Sequence, residues 1–206
     1  PPMTFDIRRG EIAFLRDENY NTGRRLHECF LGDRGWTSGF FRLNGRLYQP
    51  GDLGRVIGSE IGIQIERPDR PGGVLFDNMT ALDNLCTSLI PKAGQHIIRK
   101  KIVSSILSEA LRWFPKEMLL QPLSSWSYPE RLRFSYYRWY LLNPRLLICF
   151  FPFAGQESTH HKMIIDLLVL CAQRGMAVWI ISSGIDAICE KTDNEEFLRR
   201  LHYLNK

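Results

Sequence analysis

No apolar run in the sequence reaches the ~20 residues that span a bilayer, so a membrane-crossing helix is excluded. The five cysteines (Cys29, Cys86, Cys149, Cys171 and Cys189) form no CxxC pair and mostly sit in apolar contexts. They read as reduced core thiols of a cytoplasmic protein, not as disulfides or metal ligands. There is no low-complexity tract and no internal repeat, and Pro1-Pro2-Met3 carries no secretory pattern. No charge of one sign dominates: 27 Lys and Arg against 22 Asp and Glu give a formal +5, scattered along the chain. That pattern is a solvated surface, not a nucleic-acid footprint. His96 has no partner at ligand spacing. His160 and His161 are adjacent, so on a helix they point apart and make a poor metal pair.

What is present is a buried strand. Leu146 to Phe151 are six apolar residues in a row, closed by Pro152. An unbroken run of that length reads as a central strand covered on both faces. A helix over residues 159–173, Arg174-Gly175 and a second apolar strand over residues 176–181 follow. Strand, helix and strand make one unit of a parallel sheet. The 206 residues suffice for one large domain or two small ones.

Upstream, Arg9-Gly10-Glu11-Ile12 turns into a short buried strand at residues 12–15. A helix is expected over residues 22–31, ended by Gly32, with Asp17 and Glu18 just before it. Carboxylates there satisfy the partial positive charge of a helix N-terminus and repel any approaching anion. Asn44-Gly45 is a two-residue hairpin turn. Residues 61–65 form a further apolar strand. Thr80 is expected as an N-cap with Asp83 at the third helical position. Apolar residues at helical spacing continue from Ile98 to Trp113. At the far end a helix is expected over residues 195–204, with Phe197, Leu198, Leu201 and Leu204 on one face.

Several of these stretches together resemble the ATP-binding domain of ABC transporters, in its sugar-importer (ribose/galactose) branch. The carriers are Gly10-Glu11-Ile12, the hairpin from Thr37 to Leu47, and Glu66-Arg67-Pro68-Asp69-Arg70-x-x-Gly73. Further along come Met79 to Leu85, Ser127 to Pro144, Asn143 to Gly155 and Ile180 to Asp186. The resemblance covers about residues 5–193. It implies a single domain over residues 1–206 with a P-loop-type, mainly parallel α/β sheet flanked by helices. An antiparallel β portion would lie near the N-terminus and a helical lobe at about residues 80–122. The first strand pair and the final strands are expected to be shortened or missing, which fits a cut chain or one half of a longer polypeptide.

The chemistry of the family is where this sequence departs. A working phosphate loop has the form G-x-x-G-x-G-K/R-S/T, with glycines that let N–H groups point inward, a cation for the phosphates and a hydroxyl for Mg²⁺. Here the vestige is Asn21, Thr22, Gly23, Arg24 and Arg25, and Arg25 stands where the hydroxyl belongs. The signature loop aligns on Ser127, Tyr128 and Pro129, and proline has no N–H to offer a phosphate. The metal-holding Asp and the water-polarising Glu align with Phe150 and Phe151. Losing a general base costs typically 10²–10⁴-fold in rate, and losing the metal several kcal/mol more. The expectation is a pseudo-ATPase with no catalytic residues, no metal and no cofactor, although the family uses ATP and Mg²⁺. Two roles are implied. One is the non-hydrolysing half of a sugar-importer ATPase subunit, paired with an active ABC ATPase domain and membrane permease subunits. The other is an interaction module of a sensory or transcription-regulating protein. Either would be cytoplasmic, the first peripheral at the inner face of the membrane.

Overall fold

The computed structural model describes residues 4–35, 39–66, 75–93, 100–154 and 158–204. Thr37-Ser38, Arg67 to Gly73, His96 and Gly155, named above, lie outside them. In chain order the elements are β1 (Ile12–Arg16), α1 (Asn21–Leu31), β2 (Phe41–Leu43), β3 (Arg46–Tyr48), α2 (Pro50–Leu53) and β4 (Ile61–Ile65). The helical stretch follows: α3 (Ala81–Ala93), α4 (Lys100–Ala110), α5 (Lys116–Leu119) and α6 (Tyr128–Leu142). Last come β5 (Leu146–Phe150), α7 (Ser158–Gln173), β6 (Ala177–Ser182), α8 (Ile185–Cys189), α9 (Glu195–Arg200) and β7 (Leu201–Leu204).

The apolar run at Leu146 becomes a fully buried strand, as its composition dictates. It is flanked by β4 and β6, and the five-stranded sheet has the order β4-β5-β6-β1-β7. Every pairing in it is parallel. One face packs under α6, α7 and α9 through residues such as Leu132, Tyr136, Ile164, Leu168 and Phe197. The other packs against α1, the β2–β3 hairpin and α2 through Phe30, Tyr48 and Leu53.

Helix α6 is buried on two sides. Leu132, Tyr136 and Trp139 face the sheet, while Phe134 and Tyr137 join Leu85, Ile106, Phe114 and Leu119 in a separate helical core. That second core is the expected helical lobe. Gly62 of β4 lets α6 come close, since a Cβ there would lie 2.8 Å from the Trp139 ring. The polar atoms this approach buries are paired: Trp139 Nε1 donates to Gln64 Oε1 at 2.7 Å, and Gln64 Nε2 donates to Glu66 Oε1 at 2.7 Å.

The hairpin turn is as expected, with Asn44 and Gly45 at φ 50° and 77°. Thr80 caps α3, its Oγ1 accepting from the Asp83 N–H at 3.1 Å. Two expectations are corrected. The last helix stops at Arg200, and Leu201–Leu204 is a strand pairing with β1. The open edge of β1 offers a full ladder of backbone partners, which outweighs helical spacing in a short segment. Leu198 is accordingly 43% exposed and does not share a buried face with Phe197. The central strand ends at Phe150, one residue before the end of the apolar run.

Candidate functional site

Three strands finish side by side. Phe150 of β5 pairs with Ile181 of β6, and Ile181 pairs with Leu15 of β1. Crevices outside the carboxyl ends of parallel strands are where open α/β sheets hold ligands. Here the crevice is bounded by residues 17–20, which lead from β1 into α1.

Asp17 is only 1% exposed. Its backbone N–H donates to the Ser182 carbonyl at 2.9 Å, which continues the β1–β6 ladder. Its carboxylate oxygens accept from the N–H groups of Thr22 at 3.2 Å and Gly23 at 2.7 Å. The first N–H groups of a helix have no partner within the helix, and the helix dipole makes the spot attractive to anions. A side-chain carboxylate takes that position in this chain. Tyr20, the residue at the cap itself, is left-handed at φ 57° and makes no side-chain cap bond, so capping comes from upstream. Glu18 does not share the role: it is exposed, 3.8 Å from Arg16 Nε.

Phe151 closes the other side. Its φ of 54° is a left-handed conformation that a bulky residue rarely adopts. Its N–H donates to the Ile181 carbonyl at 2.8 Å. The turn directs the ring onto Gly23, where an added Cβ would sit 2.5 Å from Cζ. The Tyr20 ring packs on it at 4.8 Å between centroids. Phe150, by contrast, is fully buried and meets the edge of His27 at 5.2 Å. Neither ring carries an oxygen.

The remaining sequence-selected residues are spread out. Asn21, Arg24 and Arg25 are exposed, and Arg24 lies 3.9 Å from Glu28. Ser127 caps α6. Its N–H and hydroxyl donate to Glu130 Oε2 at 2.8 and 2.6 Å, and those bonds hold the Glu130 carboxyl below its usual range. Tyr128 meets His160 at 5.5 Å, and Pro129 sits in the first turn. The structure therefore joins Gly23 with Phe151, while Ser127, Tyr128 and Pro129 form the start of a different helix.

Beside the loop opens a cleft of about 500 Å³, lined in part by Arg16, Glu18, Asn21 and Tyr203. Arg16 is bonded to Asp186, and the Tyr203 hydroxyl donates to Asp186 Oδ1 at 3.2 Å. Among the described residues, no three His, Cys, Asp or Glu side chains gather into a metal-binding group. Sequence reasoning missed Tyr20 and the reach of Phe151. Nothing in a run of apolar letters signals a positive φ at its last residue.

The same arrangement of strands and helices is found in solved structures. CbiO1 of Clostridium perfringens, part of the ABC transporter complex cbiONQ, superposes with a TM-score of 0.71 at 19% identity. The match covers 98% of this chain and 76% of that one. The ATP-binding cassette MJ0796, in a dimeric state bound to ADP and Pi, gives a TM-score of 0.67 at 18% identity over 98% of this chain and 84% of its own. The fold is that of an ABC-transporter ATP-binding domain.

Sequence relatives point the same way. An ATP-binding protein of Pseudomonas syringae pv. tomato, named for ribose/galactose/methyl galactoside import, is 25% identical over 194 residues, 93% of this chain. The fructose import ATP-binding protein FruK of Bifidobacterium longum is 25% identical over 212 residues, 98% of this chain and 39% of its own. The galactofuranose transporter ATP-binding protein YtfR of Escherichia coli is 23% identical over 198 residues, 96% of this chain and 38% of its own. The chain spans 37% of the length of the Pseudomonas relative. No family model matches the chain. Among the described residues, no helix is long and apolar enough to cross a membrane.

Proposed function

We propose that this ABC-type domain is the non-hydrolysing half of a sugar-importer ATPase subunit. It pairs with an active ABC ATPase domain and docks beneath membrane permease subunits on the cytoplasmic side. The sugar-import names of its relatives support the assignment. The observation that carries the loss of hydrolysis is the Asp17 carboxylate 2.7 Å from the Gly23 N–H, where a phosphate oxygen would have to bond.

The residues present do not fit Mg-ATP. A phosphate entering the cradle meets a buried carboxylate of its own sign, a repulsion of about 4 kcal/mol per charge pair near a protein surface. The Phe151 ring covers Gly23 from the other side. Phe150 and Phe151 offer no oxygen to a metal ion and no base to an attacking water. What the domain supplies is a folded partner surface. Phosphate release by the purified chain in Mg-ATP is expected to equal the buffer blank. A Mg²⁺-dependent rate above the blank would refute the proposal.

A further inference from the structure

Helices leave the sheet on opposite faces around β1. Helix α1, which follows β1, packs on one face through Phe30. Helices α8 and α9, which lead from β6 to β7, pack on the other through Ile185, Ile188 and Phe197. Such a reversal opens a crevice beyond the carboxyl ends of the strands, and open α/β sheets hold ligands there. The cleft of about 500 Å³ lies at this place, between the ends of β1 and β7 and the start of α1. Its volume is that of a small-molecule site.

The lining decides the class of guest. Among the described residues that line the cleft, Arg16 is the one cation, against Asp17 and Glu18. An anion therefore meets net charge of its own sign. A cation finds every carboxylate already facing a donor. Asp17 accepts from the Thr22 and Gly23 N–H groups, Glu18 stands 3.8 Å from Arg16 Nε, and Asp186 beside the cleft is bonded by Arg16 and Tyr203.

What is left over is neutral hydrogen-bonding capacity. The amides of Asn19 and Asn21 bond no described residue. Each offers a donor and an acceptor side by side, and a hydroxyl both accepts and donates in return. The Arg16 guanidinium has five N–H donors, more than its bond to Asp186 uses. Tyr203 supplies a flat wall. Its ring meets the edge of Phe14 at 5.8 Å, its hydroxyl is fixed on Asp186, and the residue is 43% exposed.

We propose that this cleft binds a neutral small molecule with adjacent hydroxyls, of the size of a monosaccharide. Its hydroxyls bond the Asn19 and Asn21 amides and the Arg16 guanidinium, and its C–H face lies on the Tyr203 ring. The inference rests on the cleft alone and does not depend on the proposed loss of hydrolysis.

The test is nuclear magnetic resonance titration of the ¹⁵N-labelled chain with D-galactose and with D-ribose. Their phosphate esters serve as anionic counterparts and D-galactosamine as a cationic one. At least one neutral sugar is expected to saturate with a Kd below ~10 mM, with amide shifts gathered at residues 16–22 and 201–204. Each charged counterpart is expected to bind at least about fivefold more weakly. Asn21→Ala, at an exposed position in the first turn of α1, should weaken binding about fivefold, and Asn19→Ala likewise. Circular dichroism verifies that both variants are folded. Four results would overturn the proposal. They are no saturation by either neutral sugar, shifts centred away from the cleft, a charged counterpart that binds as tightly as its neutral sugar, and folded variants that bind like the parent chain.

Discussion

The ring of Phe151 rests on the α-carbon of Gly23, so closely that a methyl group added there would lie 2.5 Å from Cζ. The contact joins the end of β5 to the first turn of α1, and it needs both a glycine and a left-handed phenylalanine. Gly23→Ala should therefore destabilise the fold, by about 1–3 kcal/mol, through overpacking. Phe151→Ala relieves the clash, so the double variant should be more stable than the sum of the two single effects. Urea unfolding of the four proteins measures the coupling. Strict additivity would mean that the ring does not rest where described.

Asp17 gives a second, independent handle on the loop. Asp17→Ala leaves the Thr22 and Gly23 N–H groups without their acceptor in a buried place. Orphaned buried donors cost about 1–3 kcal/mol, which for a domain of this size lowers the melting temperature by roughly 2–4 °C per kcal/mol. Glu18→Ala should shift it by far less, since Glu18 is exposed and makes only a long ion pair. Equal shifts would contradict the division of labour between the two acids.

The sequence made the sheet legible and left the end of the chain illegible, for a physical reason. Residues 146–150 and 177–181 are short apolar runs bounded by turn signals, which read as buried strands. At residues 201–204 the letters Leu-His-Tyr-Leu suit a helix or a strand, and the choice is made by the unfilled edge of β1, which is distant in sequence. The candidate site was half legible. Acidic residues before a helix announce a self-capped start, and Asp17 provides it. That Asp17 alone is turned inward, and that Phe151 folds back over Gly23, follows from tertiary contacts among strands ending together at Leu15, Phe150 and Ile181.

A pH effect is expected at the junction of α9 and β7. Hydrogen bonds from Arg199 and Arg200 pull the Glu196 carboxyl down to about 2. Arg200 also donates to the Gly10 carbonyl at 2.7 Å, which ties the junction to the approach to β1. A carboxyl whose folded pKa lies below its unfolded value stabilises the fold above that unfolded value, about 4.3, and the benefit fades as pH falls toward 2. Melting temperatures from pH 6 to pH 2 should fall for the parent chain and fall less for Glu196→Gln. Parallel profiles would assign the acid sensitivity to other groups.

Isothermal calorimetry of the purified chain with Mg-ATP bears most directly on the claim that the phosphate cradle is closed by the protein's own side chains. The account predicts no saturable heat, with any dissociation constant weaker than ~1 mM. Saturable binding tighter than that would contradict it.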